Sequence, residues 1–196
     1  MPAEASQLKM VPPYRQELVK KQGDNIKNAR QSAVLALFYP DLEAQTKLIL
    51  ILRKTYKGVH SGQVGFPGGK VEEEDRDLMH TALRETHEEV GVHPELVTVY
   101  KKMTQVYIPP SNFYVQPYIG AATKTPTFIK QETEVEDLLE VYLSDLLSDS
   151  NLTSKKVKTS YGTDVEVPAF YLGTHLVWGA TAMMLSEVKD LLKATL

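Results

Sequence analysis

The stretch that decides the reading runs from Gly68-Gly69-Lys70 to Arg84-Glu85-Thr86-His87-Glu88-Glu89-Val90-Gly91-Val92. Asp75 or Asp77 can cap a helix spanning Asp77 to Val90, and Gly91 stands where such a helix stops. At a helical step of about 100° per residue, with Glu85 as origin, Glu88 falls at about 300° and Glu89 at about 40°. Three carboxylates therefore share one face, while Met79, Ala82, Leu83, Thr86 and Val90 form a stripe for burial. Like charges at this spacing repel by a few tenths of a kcal/mol per pair. A helix that only packs gains nothing from that repulsion. A divalent, oxygen-seeking cation such as Mg²⁺ or Mn²⁺ relieves it. Acidic helix faces are also commonly just solvated. The Gly-Gly turn ahead of this one sets it apart, because glycine lets backbone approach a phosphate or a metal. Arg84, one turn before Glu88, can hold that carboxylate from behind.

Composition narrows the classes around this segment. The chain has 196 residues, with 22 Lys and Arg against 25 Asp and Glu, a net charge of −3. Such a balance argues against a dedicated nucleic-acid binder. An apolar fraction of 42% supports a folded core rather than general disorder. The absence of cysteine excludes disulfides, thiolate metal sites and a cysteine nucleophile. No apolar run approaches the roughly 18–20 residues needed to span a bilayer, and Met1 to Met10 lack a signal pattern. The expectation is a cytoplasmic protein with no membrane partner.

Residues 1–31 are polar, contain Pro12-Pro13 and read as a surface arm with one short helix at Arg15 to Gln22. Residues 32–196 read as one continuous domain. Ala33 to Tyr39 and Leu48 to Leu52 are short apolar runs that predict two buried strands joined by a turn at Pro40-Asp41. Val97 to Tyr107, Phe113 to Gly120 and Leu138 to Leu143 predict further strands, the last leading into a helix at Ser144 to Leu147. Val157 to Tyr161 and Val165 to Tyr171 flank Gly162-Thr163, a hairpin signal, and Thr181 to Leu192 predicts a closing helix. This irregular alternation predicts an α/β fold, a mixed β-sheet with helices on both faces.

The central segment resembles the Nudix box: Gly, five residues, Glu, seven residues, Arg-Glu, an aliphatic, any residue, Glu-Glu, any residue, Gly, an aliphatic. Gly69 matches the first glycine, and Arg84-Glu85-x-x-Glu88-Glu89-x-Gly91-Val92 matches the second half, with Thr86 at the aliphatic position. Gly69 to Arg84 is 15 positions, one more than the pattern. Counting back from Arg84 puts Arg76 at the first glutamate position, between Asp75 and Asp77, so Arg76 is given no ligand role. The longer spacing and the Thr81-Ala82-Leu83-Arg84-Glu85 run are similar to the coenzyme A diphosphatase branch of Nudix hydrolases. Leu50, Arg53, Gly62 and Phe66-Pro67-Gly68-Gly69 match that branch's upstream signature, as does Leu176 to Ala182 near the C-terminus. Ile51, Lys54 and Gly58 depart from it, and Lys57 lies one residue from the missing arginine.

The resemblance implies a Nudix-type α/β/α sandwich and Mg²⁺- or Mn²⁺-dependent hydrolysis of a diphosphate. Coenzyme A or acyl-CoA would yield 3′,5′-ADP and 4′-phosphopantetheine or its acylated form. Glu85, Glu88 and Glu89 become the expected metal ligands, with Glu134 as a further ligand or general base and Glu132 and Glu136 as its alternatives. Arg53, Lys57, His60, Gly68 and Gly69 become the expected substrate-binding residues. Tyr107, Phe113 and Tyr114 are candidates for stacking on an adenine, and Trp178 for packing. The partner is then a small-molecule diphosphate, and a homodimer is an assembly the family allows. Two other functions fit the same residues: hydrolysis of another nucleoside diphosphate derivative, such as ADP-ribose or a nucleotide sugar, and a non-catalytic nucleotide-binding sensor.

Overall fold

The computed structural model describes residues 3–20, 26–55, 62–159 and 162–195. Its helices are α1 (Glu4–Leu8), α2 (Pro13–Lys20), α3 (Leu78–Val90), α4 (Leu143–Leu147) and α5 (Gly179–Lys193). The strands are β1 (Arg30–Pro40), β2 (Thr46–Arg53), β3 (Val64–Gly65), β4 (Gly68–Lys70), β5 (Val97–Lys102), β6 (Val106–Ile108), β7 (Phe113–Ala122), β8 (Val135–Tyr142), β9 (Leu152–Thr159), β10 (Gly162–Leu172) and β11 (His175–Trp178). The first eight strands form a mixed sheet, in which β1 runs parallel to β7 and the other pairs are antiparallel. The last three form a separate antiparallel sheet.

Strand periodicity explains why β1 and β2 are apolar throughout. Ala33, Leu35, Leu37, Tyr39, Ile49 and Ile51 point to the side carrying α3, with Ala82 and Val90. Val34, Ala36, Phe38, Leu48 and Leu50 point to the other side, with Leu185 and Val188 of α5 and Phe170 of the small sheet. A strand buried on both faces cannot alternate apolar with polar residues. The architecture is α/β, with helices on both faces of the sheet as expected.

The sheet splays where the functional segment enters. At one end β1 pairs with β2, from Phe38–Leu48 to Pro40–Thr46. At the other end β1 takes β4, from Val34–Gly68 to Ser32–Lys70, and β2 takes β3. The β3–β4 wedge therefore sits between two diverging strands. It is locked there by the Leu35 amide donating to the Pro67 carbonyl at 3.0 Å.

Three expectations are corrected. The single strand at Val97 to Tyr107 is two strands, both paired with β7 and separated by Met103–Gln105. That excursion is held by Glu187 of α5, whose carboxylate accepts from the Thr104 amide at 3.2 Å and its hydroxyl at 2.8 Å. Met79 lies outside the buried stripe and is 39% exposed, because it falls on the first turn of α3, beyond the sheet's cover. Among the described residues the N-terminal stretch carries two helices, α1 and α2, where one was expected, and it packs into the core at Met10 and Val11. Gln7 donates to the buried Glu187 carboxylate at 2.8 Å and to the Thr104 carbonyl at 3.0 Å, and Ser186 donates to the Ser6 carbonyl at 2.7 Å. Strand β11 carries no signal separable from the helix that follows it.

Replacing Gln7 with Ala removes the donor to one oxygen of the Glu187 carboxylate, a residue 2% exposed whose other oxygen keeps Thr104. The expected cost is about 1–3 kcal/mol, read as a lower urea midpoint with unchanged slope. An unchanged midpoint would mean that the N-terminal helix is not coupled to the core.

Candidate active site

Helix α3 begins and ends on local chemistry. The Asp77 carboxylate caps it by accepting from the His80 amide at 2.7 Å, and Gly91 closes it at φ 78°, its amide donating to the His87 carbonyl at 2.9 Å. A side chain at Gly91 would also strike Ile129, where the chain returns alongside the helix end. With Thr86 and Ala82 packed on the sheet, the acidic face turns towards the β4 glycines.

Glu89 is 2% exposed and accepts a hydrogen bond from the Gly68 amide at 2.7 Å. The Glu85 carboxylate lies against Gly69 so closely that any Cβ there would overlap it. At Gly68, φ is 147° and a Cβ would collide with the Ala33 backbone carbonyl. Gly68 is thus required for shape, and a side chain at Gly69 would displace the Glu85 carboxylate. Glu88 is half exposed.

Arg84 organises this face. Its guanidinium takes both oxygens of Asp75, Nε to Oδ1 at 2.9 Å and Nη2 to Oδ2 at 2.8 Å. The same group reaches Glu88 at 3.1 Å, Glu85 at 3.3 Å and the Lys70 carbonyl at 3.1 Å. Asp75 has no exposed side-chain surface and also accepts from the Thr81 hydroxyl and the Glu72 amide. The Arg84 guanidinium holds its carboxyl well below the usual carboxylate range despite burial. Asp75 is the position that counting back from Arg84 misses. Counting forward from Gly69 finds it six residues on, where the family pattern has its first glutamate. The extra residue therefore lies between Asp75 and Arg84.

Burial raises the Glu85 carboxyl above its ordinary value, and Glu88 and Glu134 add to this while Arg84 opposes it. Burial likewise pushes Glu89 up to about 7, although Arg53 and the Gly68 amide pull it down. The charge of Glu134 also raises both, and all four glutamates line one cavity of about 820 Å³. The Glu134 carbonyl accepts from the Lys54 amide at 2.9 Å, which fixes its loop to the end of β2. An all-carboxylate donor set suits a hard divalent cation. Among the described residues no three such groups converge into a closed cage, because Glu88 is drawn to Arg84 and Glu89 to Gly68.

Arg53 also lines the cavity, but its guanidinium is engaged with the protein. It donates to the Gly68 carbonyl at 2.8 Å and stands 3.7 Å from the Glu89 carboxylate. Lys57 and His60 lie outside the described residues. Tyr107, Phe113 and Trp178 line the cavity, and Arg30 stacks over the Phe113 ring at 4.2 Å. No helix among the described residues is long and apolar enough to cross a membrane.

Replacing Asp75 with Asn removes the charged bidentate partner of Arg84, which keeps Glu88 and Glu85, and is expected to cost about 1.5–3 kcal/mol near neutral pH. A depressed native pKa stabilises above the unfolded value of about 3.9 and loses that contribution as pH falls towards the native value. The gap in urea midpoint between wild type and Asp75→Asn should therefore be constant above about pH 5 and shrink below about pH 4. A gap independent of pH would show that the charge pair contributes nothing.

A family model described as the NUDIX domain matches residues 29–158. A protein of Enterobacter sp. (strain 638) named as an uncharacterized Nudix hydrolase, NudL, is 33% identical over 173 residues, 88% of each chain. The Arabidopsis thaliana Nudix hydrolase 15, mitochondrial, is 32% identical over 173 residues, 85% of this chain and 60% of its own. Among solved structures, the Nudix hydrolase RenU of M. smegmatis superposes with a TM-score of 0.57 at 16% identity, over 85% of this chain and 87% of its own. The NUDIX domain of Shewanella oneidensis NrtR, solved with ADP ribose, gives 0.54 at 16% identity over 88% and 99%. At these identities the structures show a shared fold, and the sequence matches show the family. Nudix hydrolases generally use divalent metal cations. The chain belongs to the Nudix hydrolase family, enzymes that cleave pyrophosphate bonds in nucleoside diphosphate derivatives.

Proposed function

We propose that this Nudix hydrolase cleaves the diphosphate of coenzyme A or its thioesters in the cytoplasm, with Mg²⁺ or Mn²⁺, releasing 3′,5′-ADP. The observation that carries the reading is the cavity itself. Its acids, Glu85, Glu88, Glu89 and Glu134, share one continuous space with an extended apolar wall. A nucleotide sugar or ADP-ribose has polar groups on both sides of its diphosphate. Coenzyme A has a nucleotide on one side and a long, weakly polar arm on the other, which matches a cavity of mixed lining. The first turn of α5, at Gly179 to Thr181, borders the same space, and the positive end of its dipole favours a phosphate there.

The roles follow from placement. Glu85, Glu88 and Glu89 offer carboxylate oxygens to the cation, and Arg84, clamped by Asp75, sets the direction of the first two. When bound, the cation neutralises diphosphate charge and lowers the pKa of a coordinated water. Gly68 and Gly69 let β4 lie against the helix and border the cavity in which the diphosphate would sit. Glu134 accepts the proton as the water oxygen bonds to phosphorus and the bridging P–O bond breaks. Arg53 acts through Gly68 and Glu89, holding the wedge in register.

The test is a product assay with Mg²⁺ or Mn²⁺ and separate incubations with coenzyme A, ADP-ribose and a nucleotide sugar. Release of 3′,5′-ADP from coenzyme A as the preferred reaction is expected. Preference for ADP-ribose keeps the family chemistry and overturns the substrate. Binding without turnover of any substrate favours a sensor. Glu89→Gln preserves the shape that meets Gly68 and should lower kcat at least about a hundredfold with the melting temperature retained. Unchanged turnover in that variant overturns the assignment of the acidic face.

A further inference from the structure

Three acids alternate where the chain enters β8: Glu132, Glu134 and Glu136. Of these, Glu134 borders the cavity, whereas Glu132 is exposed beside Lys130 and the Glu136 carbonyl accepts from the Lys130 ammonium. A turn over 131–134 makes that selection, and Gln131 stands at its start. Four bonds meet at this residue. Its amide donates to the Glu89 carbonyl at 3.1 Å, and its carbonyl accepts from the Val135 amide at 3.0 Å. Its side-chain Oε1 accepts from the Glu134 amide at 2.8 Å and from the Thr133 hydroxyl at 2.9 Å. A side-chain oxygen accepting from the amide three residues on is how an N-cap shapes the first turn of a helix. Here it shapes an isolated turn ahead of a strand. The bond to Glu89 joins that turn to α3. Carbonyls in the last turn of a helix have no intrahelical partner, and the amides of Ile129 and Gln131 take those of Val90 and Glu89. Gln131 therefore links the helix that carries the acidic face to the loop that carries Glu134.

We propose that Gln131 is a positioning residue for the hydrolysis: its side-chain oxygen holds the 131–134 turn in the shape that presents Glu134 to the attacking water. This rests on the reading of Glu134 as the proton acceptor and deepens it. The Glu134 carbonyl is already fixed by the Lys54 amide, so the Gln131 oxygen on its amide secures the other side of the same residue. A misplacement of about 1 Å costs up to about a hundredfold in rate. The loss falls on kcat, because Glu134 acts on the water and the proposal gives Gln131 no contact with substrate.

The experiment uses the full chain with Mg²⁺ and whichever of coenzyme A, ADP-ribose and a nucleotide sugar it cleaves fastest, so that an error in the substrate does not reach it. Gln131→Met keeps the length of the side chain and removes the carbonyl oxygen. It should lower kcat about tenfold with KM within about twofold. Gln131→Asn restores a capping oxygen and should return kcat to within about threefold of wild type. In a Glu134→Gln background, Gln131→Met should cost less than about twofold, because its effect passes through Glu134. An unchanged kcat in Gln131→Met, an Asn variant as slow as the Met variant, or the full tenfold loss in both backgrounds overturns the proposal. A Glu134→Gln variant as active as wild type overturns the proton-acceptor reading, and the proposal falls with it. Where Glu134→Gln turns over too slowly to follow, amide hydrogen exchange decides. The Glu134 amide should exchange about tenfold faster in Gln131→Met than in wild type, with the Val135 amide unchanged. Equal exchange at Glu134 in the two proteins overturns the proposal.

Discussion

The structure depends on how closely α3 approaches β4. Two carboxylates are pressed against two glycines: Glu89 accepts from the Gly68 amide at 2.7 Å, and Glu85 occupies the volume a side chain at Gly69 would need. Burying carboxylates is unfavourable unless they are bonded or paired. The fold meets this with the Gly68 amide, with Arg53 beside Glu89 and with Arg84 beside Glu85. Arg84 is in turn oriented by a carboxylate with no exposed surface, Asp75. The cluster keeps excess negative charge facing a cavity, which is where a diphosphate hydrolase needs to hold a cation.

The sheet exists to hold that contact. Strands β1 and β2 diverge, and the β3–β4 wedge fills the gap between them. Arg53 closes the arrangement, since it leaves the end of β2, donates to the Gly68 carbonyl and stands beside Glu89. Arg53, expected to bind substrate, also contacts the groups that set the geometry of the acids. On the opposite face, Glu187 has a comparable organising part, joining α1, α5 and the connection between β5 and β6.

Local signals were the legible ones. Asp77 and Gly91 bound α3 as their chemistry predicts, and the continuous apolar runs of β1 and β2 reflect burial on both faces. The acidic face was also readable, because it follows from helical periodicity alone. What escaped depends on partners distant in sequence. Gln7 and Ser6 look like surface residues until α5, about 180 positions away, supplies Glu187 and Ser186. The break at Met103–Gln105 is fixed by that same glutamate and by Gln116, which donates to the Met103 carbonyl at 2.8 Å. Strands as short as β3 and β4 carry no periodicity to read. Asp75 was within reach of counting, but only from the glycine end of the motif.

The claim on which the account stands is that the α3 carboxylates hold a divalent cation. A titration of Mn²⁺ into the protein without substrate, followed by electron paramagnetic resonance of the free ion, addresses it directly. The account predicts saturable binding in wild type that is lost when Glu85 and Glu89 are both replaced with Gln, with the fold retained. Equal binding in wild type and the double variant would contradict it.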